Sequence, residues 1–183
     1  MSRALLAFAS VLAVLAACSR EPPPTPATTT AGAAVPASAG DALYAMDTRA
    51  PVPLLPMMAN HQKQNMRDHL VAVQEIVAAL ATDDFAGIES AAGRIGFSEH
   101  MGQMCTHMGA AAPGFSEQAL DFHHTADRIG AAARDRDRAR VLTELGATLQ
   151  TCTSCHAAWK QQVVDEPTWQ RVTSSAPPTH GAP

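Results

Sequence analysis

The run Cys152-Thr153-Ser154-Cys155-His156 constrains this chain more than any other stretch. It lies in a segment, about 137–164, whose apolar residues recur every third or fourth position. Leu142, Leu145, Leu149, Cys152, His156 and Val163 share one helical face, with Trp159 beside them, and Pro167 ends the pattern. Two thiols and an imidazole therefore leave a late helix together, and the fold has to offer them a common space.

Three earlier segments carry the same period. From about Pro56 to Leu80, Met66, Leu70, Val73, Val77 and Leu80 form a stripe flanked by His69 and Ile76. After "ATDD", where Thr82 or Asp83 can cap, Phe85, Ile88, Ala92 and Ile95 lie on one side of a second helix. "GRIG" weakens that helix and Ser98 restarts it as an N-cap, through about Met108. Beyond the Pro113-Gly114 break, Phe115, Ala119, Phe122, Ala126, Ile129 and Ala133 mark a third helix. No strand pattern is evident. Four amphipathic helices with short connections predict an all-α fold, an antiparallel four-helix bundle over residues 53–166. Aromatic residues make up only 4% of the chain, which suits a helical core holding something other than Phe and Tyr.

The ends read differently. Arg3 precedes the apolar run "ALLAFASVLAVLAA", too short for a bilayer span of about 20 residues. It closes on "LAAC", Leu15 to Cys18, which resembles a bacterial lipobox. Residues 1–17 are then a lipoprotein signal peptide and Cys18 the lipidated residue. An ordinary leader with a chance cysteine is the alternative, and either way the chain is exported. Residues 18–52, rich in Pro, Ala, Thr and Ser, read as a disordered tether, and 167–183 as a flexible tail. These features predict a periplasmic protein held to a bacterial membrane by lipid. The formal charge of -4, without a dense Lys/Arg block, leaves no footprint for nucleic acid.

C-x-x-C-H reads as a c-type haem attachment site. Each thiol adds across one haem vinyl group, and the following imidazole then lies under the iron. A thioredoxin-like dithiol needs its C-x-x-C at a helix start in a βαβ setting, and a zinc site needs a second ligand pair at matching spacing; the sequence offers neither. One covalent haem c, on Cys152 and Cys155 with His156 as axial ligand, is the expectation.

With Trp159 and Lys160, this C-terminal-helix motif resembles the cytochrome c′ family's "C-x-x-C-H-x-x-aromatic-Arg/Lys", over roughly residues 55–165. Trp159 stands where the family more often has tyrosine. The resemblance implies a bundle enclosing the haem and a sixth-ligand position on the first helix. High-spin members place an apolar residue there and bind small gases; low-spin members place a methionine there and carry electrons. "MRDHLVAVQEIVAALATDD" fits the low-spin frame with Met66 as ligand, although Gln62 stands where the family usually has a basic residue. His69, one turn on, is the rival ligand. The resemblance also brings in a homodimer formed through two helices.

The segment "HMGQMCTHM" (100–108) adds Met101, Met104, Cys105, His107 and Met108, soft donors that would suit copper. Met101, Met104, Cys105 and Met108 also fall on one helical arc, as a core stripe with no metal does. Cys105 is left without a partner once Cys18, Cys152 and Cys155 are assigned, and burial in the core accounts for it. The charge run "RDRDRAR" (134–140) reads as a solvated surface. No nucleophile–base pair or catalytic carboxylate pair stands out, so the expectation is a non-enzymatic electron carrier working with a redox partner protein. The alternatives are a five-coordinate gas binder and a copper-handling protein.

Overall fold

The computed structural model describes residues 38–175. The leader, Cys18 and the tether up to residue 37 lie outside the described residues, as does the tail from residue 176. The described chain is mostly helical. It runs α1 (Ala39–Met46), β1 (Ala50–Leu54), α2 (Pro56–Ala81), α3 (Phe85–Ile95), α4 (Glu99–Met108), α5 (Phe115–Arg134), α6 (Arg138–Ala158), β2 (Trp159–Val163) and α7 (Glu166–Ser175).

The long helices begin and stop where local chemistry dictates. Pro56 opens α2, where its missing N–H costs nothing. Asp83 takes a left-handed turn conformation at φ 53°, and the next residue, Asp84, accepts from Gly87 N at 2.9 Å to cap α3. The cap thus falls one residue beyond the expected Thr82 or Asp83, because Asp83 is used up in the turn. Ser98 Oγ accepts from Met101 N at 3.2 Å and restarts the chain as α4, as its position after "GRIG" suggests. The break is pinned to α5: Phe97 N donates to the Asp127 carboxylate at 3.2 Å. A side chain at Gly96 would collide with that same carboxylate. Gly114, at φ 89°, turns the chain into α5.

α2 packs on α3, α3 on α5 and α5 on α6. Ile76, Ile88, Ile95, Ile129 and Val141 are sealed between them, with Ala92, Ala126 and Ala132 letting the backbones approach. Each large aliphatic buried this way contributes about 1.5–3 kcal/mol. A second, smaller cluster gathers Val52, Leu54, Ala59, Met108, Ala112 and Phe115.

Four expectations need correction. Along α2, Ala72, Ile76 and Leu80 are buried in the core and Met66, Leu70 and Val73 line a cavity, while Val77 is turned to solvent. The expected stripe is therefore met only in part: Val77 does not belong to it, and the small Ala72 holds an interior position. In α6 the inward residues are Val141, Leu145 and Thr148, and Leu142 points out.

The last long helix stops at Ala158, well before Pro167. Trp159–Val163 instead pair in parallel with Ala50–Leu54, Ala50 opposite Trp159 and Leu54 opposite Val163. Strand β1 escaped the sequence reading because it contains two prolines. Leu54 O accepts from Val164 N, so the even-numbered residues face β2, while Pro51 and Pro53 face the outer edge, where no donor is needed.

Finally, α1 and β1 occupy the last part of the stretch read as tether, and α7 occupies part of the stretch read as tail. Ser38 caps α1 by accepting from Asp41 N at 3.1 Å, and Pro167 sits in the first turn of α7, where proline is tolerated. None of the described helices is long and apolar enough to cross a membrane.

Candidate cofactor site

Between the two apolar clusters lies a cavity of about 680 Å³, walled by α2, α4, α5, α6 and the two strands. Cys152, Cys155 and His156 reach it from the C-terminal end of α6. From α2, Met66 and His69 reach the same cavity. The remaining wall is largely apolar, with Val73, Phe115, Phe122 and Leu149 among its residues. The charged side chains lining it are Arg49, Lys63, Arg67 and Lys160, with no carboxylate among them.

Burial keeps the thiols protonated. It raises the Cys152 thiol, and it raises Cys155 with a further push from Cys152. Helix α6 ends just beyond His156, where Trp159 N donates to Cys155 O. Trp159 then packs edge-on to Phe115 at 5.7 Å and donates its indole N–H to Gln118 Oε1 at 2.7 Å, which ties the end of α6 to α5.

The two candidates on α2 differ in setting. Met66 is 40% exposed at the mouth, with an unbranched, adaptable thioether. His69 is stacked on Phe122, rings 4.6 Å apart, and meets His123 edge-on at 5.5 Å. Burial, reinforced by His123, lowers His69 to about 4, so the ring is neutral at ordinary pH.

His123 and His124 diverge, as adjacent helical residues must. His124 is exposed and stacked on Phe97, whereas His123 is buried. His123 Nδ1 lies 2.8 Å from Ile95 O; a carbonyl only accepts, so Nδ1 carries the proton and Nε2 the lone pair. Burial also lowers the His123 pKa.

The soft donors of α4 do not converge on one point. Met101, Cys105 and Met108 line the cavity. Met104 packs against the smaller apolar cluster. His107 is exposed and faces Trp169 of α7, ring centroids 5.3 Å apart. Among the described residues no three His, Cys, Asp or Glu side chains are grouped to hold a metal ion. Cys105 is buried, which pushes its thiol up to about 11, with Cys155 adding to the effect.

Sequence reasoning did not single out Arg49 or Gln118. Nothing local marks Arg49, whose guanidinium meets the His156 carbonyl across 107 positions of chain. Comparison with protein-family models, with curated proteins and with solved structures finds no match to this chain.

Proposed function

We propose that the protein is a c-type cytochrome: a four-helix bundle of the cytochrome c′ type holding one covalent haem, acting as a one-electron carrier and not as an enzyme. The observation that carries the reading is the single cavity that receives both thiols of C-x-x-C-H, the imidazole of His156 and, from the facing helix, Met66 and His69. Its volume lies within the roughly 300–1,000 Å³ of cofactor sites, and its apolar wall suits the face of a porphyrin. The cations at its edge suit the two propionates.

In this reading Cys152 and Cys155 bind the macrocycle as thioethers, each S–H adding across one vinyl bond with no leaving group. His156 would supply a nitrogen ligand to the iron. Met66 would supply a sulfur ligand from α2, since His69 is engaged in its stack on Phe122. Val73, Phe122 and Leu149 would give the macrocycle apolar contact. When bound, the haem iron supplies reversible exchange of one electron, accepted from one redox partner protein and passed to another.

The lipobox at Cys18 and the Pro-rich segment after it support a periplasmic site of action, with the domain tethered to the membrane. Expression with a c-type haem maturation system tests the reading. The wild-type chain should keep its haem through denaturation and acidic solvent extraction, and Cys152→Ser/Cys155→Ser should not. Haem that extracts freely from the wild type would sink the proposal.

A further inference from the structure

Arg49 stands where the chain leaves α1 and enters β1, yet it touches the end of α6. The last carbonyls of a helix have no partners within it. Cys155 O is satisfied by Trp159 N. Had the helix continued, His156 O would have met Lys160 N, but Lys160 already belongs to β2. Arg49 Nη1 donates to His156 O instead, at 2.9 Å.

Arg49 is itself held. Its Nε and Nη2 donate to the two oxygens of the Asp47 carboxylate at 3.0 and 2.7 Å, and its backbone N donates to the same carboxylate at 3.1 Å. Asp47 in turn is tied to the far strand: Lys160 Nζ donates to Asp47 O at 2.6 Å and to Tyr44 O at 3.0 Å, and lies 3.7 Å over the Tyr44 ring. One position on, Ala50 pairs with Trp159. Residues 44–50 thus clasp residues 156–160, and Arg49 also borders the cavity.

We propose that Arg49 is a positioning residue for His156: it fixes the backbone of the axial ligand and places a cation beside it, while Asp47 orients that cation and moderates its charge. The inference rests on the haem reading above. A positive charge near the iron disfavours the more highly charged ferric state, so Arg49 raises the reduction potential and Asp47 restrains the rise. The two residues form one structural unit, but their electrostatic effects have opposite signs. That separates tuning from mere support.

The test is spectroelectrochemical titration of haem-loaded wild type, Arg49→Gln, Arg49→Lys and Asp47→Asn. Arg49→Gln should shift the midpoint potential down, Asp47→Asn should shift it up, and Arg49→Lys should stay nearer the wild type. If the first two leave the potential unchanged, or move it in the same direction, the role assigned to Arg49 is wrong. Should Arg49→Gln fail to fold, Asp47→Asn decides: an upward shift upholds the proposal, and no shift overturns it. A wild type without covalent haem overturns the haem reading itself, whereas a haem-loaded protein with an insensitive potential overturns only the role of Arg49.

Discussion

On one side of the cavity, Ile76, Ile88, Ile95, Ile129 and Val141 pack with almost no exposure. On the other, Val52, Leu54, Ala59, Met108, Ala112 and Phe115 make a smaller cluster built partly from a strand and a loop. The same helices pass through both. α2 contributes Ala59 to the small cluster and Ile76 to the large one; α5 contributes Phe115 and Ile129. Aliphatic residues at close-packed positions stabilise the fold and can do little else. Between the clusters the helices carry His69, His123, Cys105, Cys152 and Met66, residue types that pack less well but can ligate or hydrogen-bond. The comparison suggests a division of labour: stability comes chiefly from the large cluster, and chemistry from the zone beside it.

Three perturbations sharpen or break that division. The largest effect is expected in the chemical zone. On the proposed haem reading, Met66→Leu removes the sulfur ligand while preserving packing volume, so it should give five-coordinate iron open to carbon monoxide, while His69→Ala leaves the absorption spectrum close to wild type. The reverse pattern would make His69 the ligand. A wild type already five-coordinate would favour gas binding over electron transfer.

Next in size, Ile129→Ala should cost about 2–5 kcal/mol in denaturant unfolding, because it opens a void in a region with no exposure, yet leave the haem spectrum unchanged. Leu149→Ala, on the half-open cavity wall, should cost only about 1 kcal/mol. Equal losses at the two sites would show that the clusters are not energetically distinct.

The third perturbation is of pH. His69 is held at about 4 in the fold against 6.5 in the unfolded chain, so the unfolded state binds more protons between those values. The stability linked to His69 is therefore fully present above pH 6.5 and is lost as pH falls toward 4, by about 3 kcal/mol at most. His69→Gln should flatten the stability profile across that window. An unchanged slope would mean that the ring is not buried against Phe122 and His123 as described.

Much of this organisation was legible in the chain. The helix starts at Pro56, after Ser98 and at Phe115 followed from proline, capping and breaker chemistry, which acts over three or four residues. The inward stripes of α3 and α5 followed from period alone, because their apolar residues are few and regularly spaced. The α2 stripe followed only in part, since Val77 is exposed. That helix has apolar residues on several faces, and which face turns inward depends on α3 and on the cavity, neither of which is encoded in its own period.

Sequence by itself determined the residue chemistry: two thiols and an imidazole on adjoining turns of one helix, a methionine and a histidine three residues apart on another, and a soft-donor segment between them. Spacing along a helix is a local property, and 3.6 residues per turn converts it directly into direction. Only the tertiary structure decided which of these groups share a cavity, that His107 is directed away from it while His123 lines it, and that α6 ends at Ala158. The last of these depends on β1 lying alongside, since a strand needs hydrogen bonds from a neighbour that can be far away in sequence. Arg49 and His156 come together for the same reason, through a pairing between segments more than a hundred residues apart.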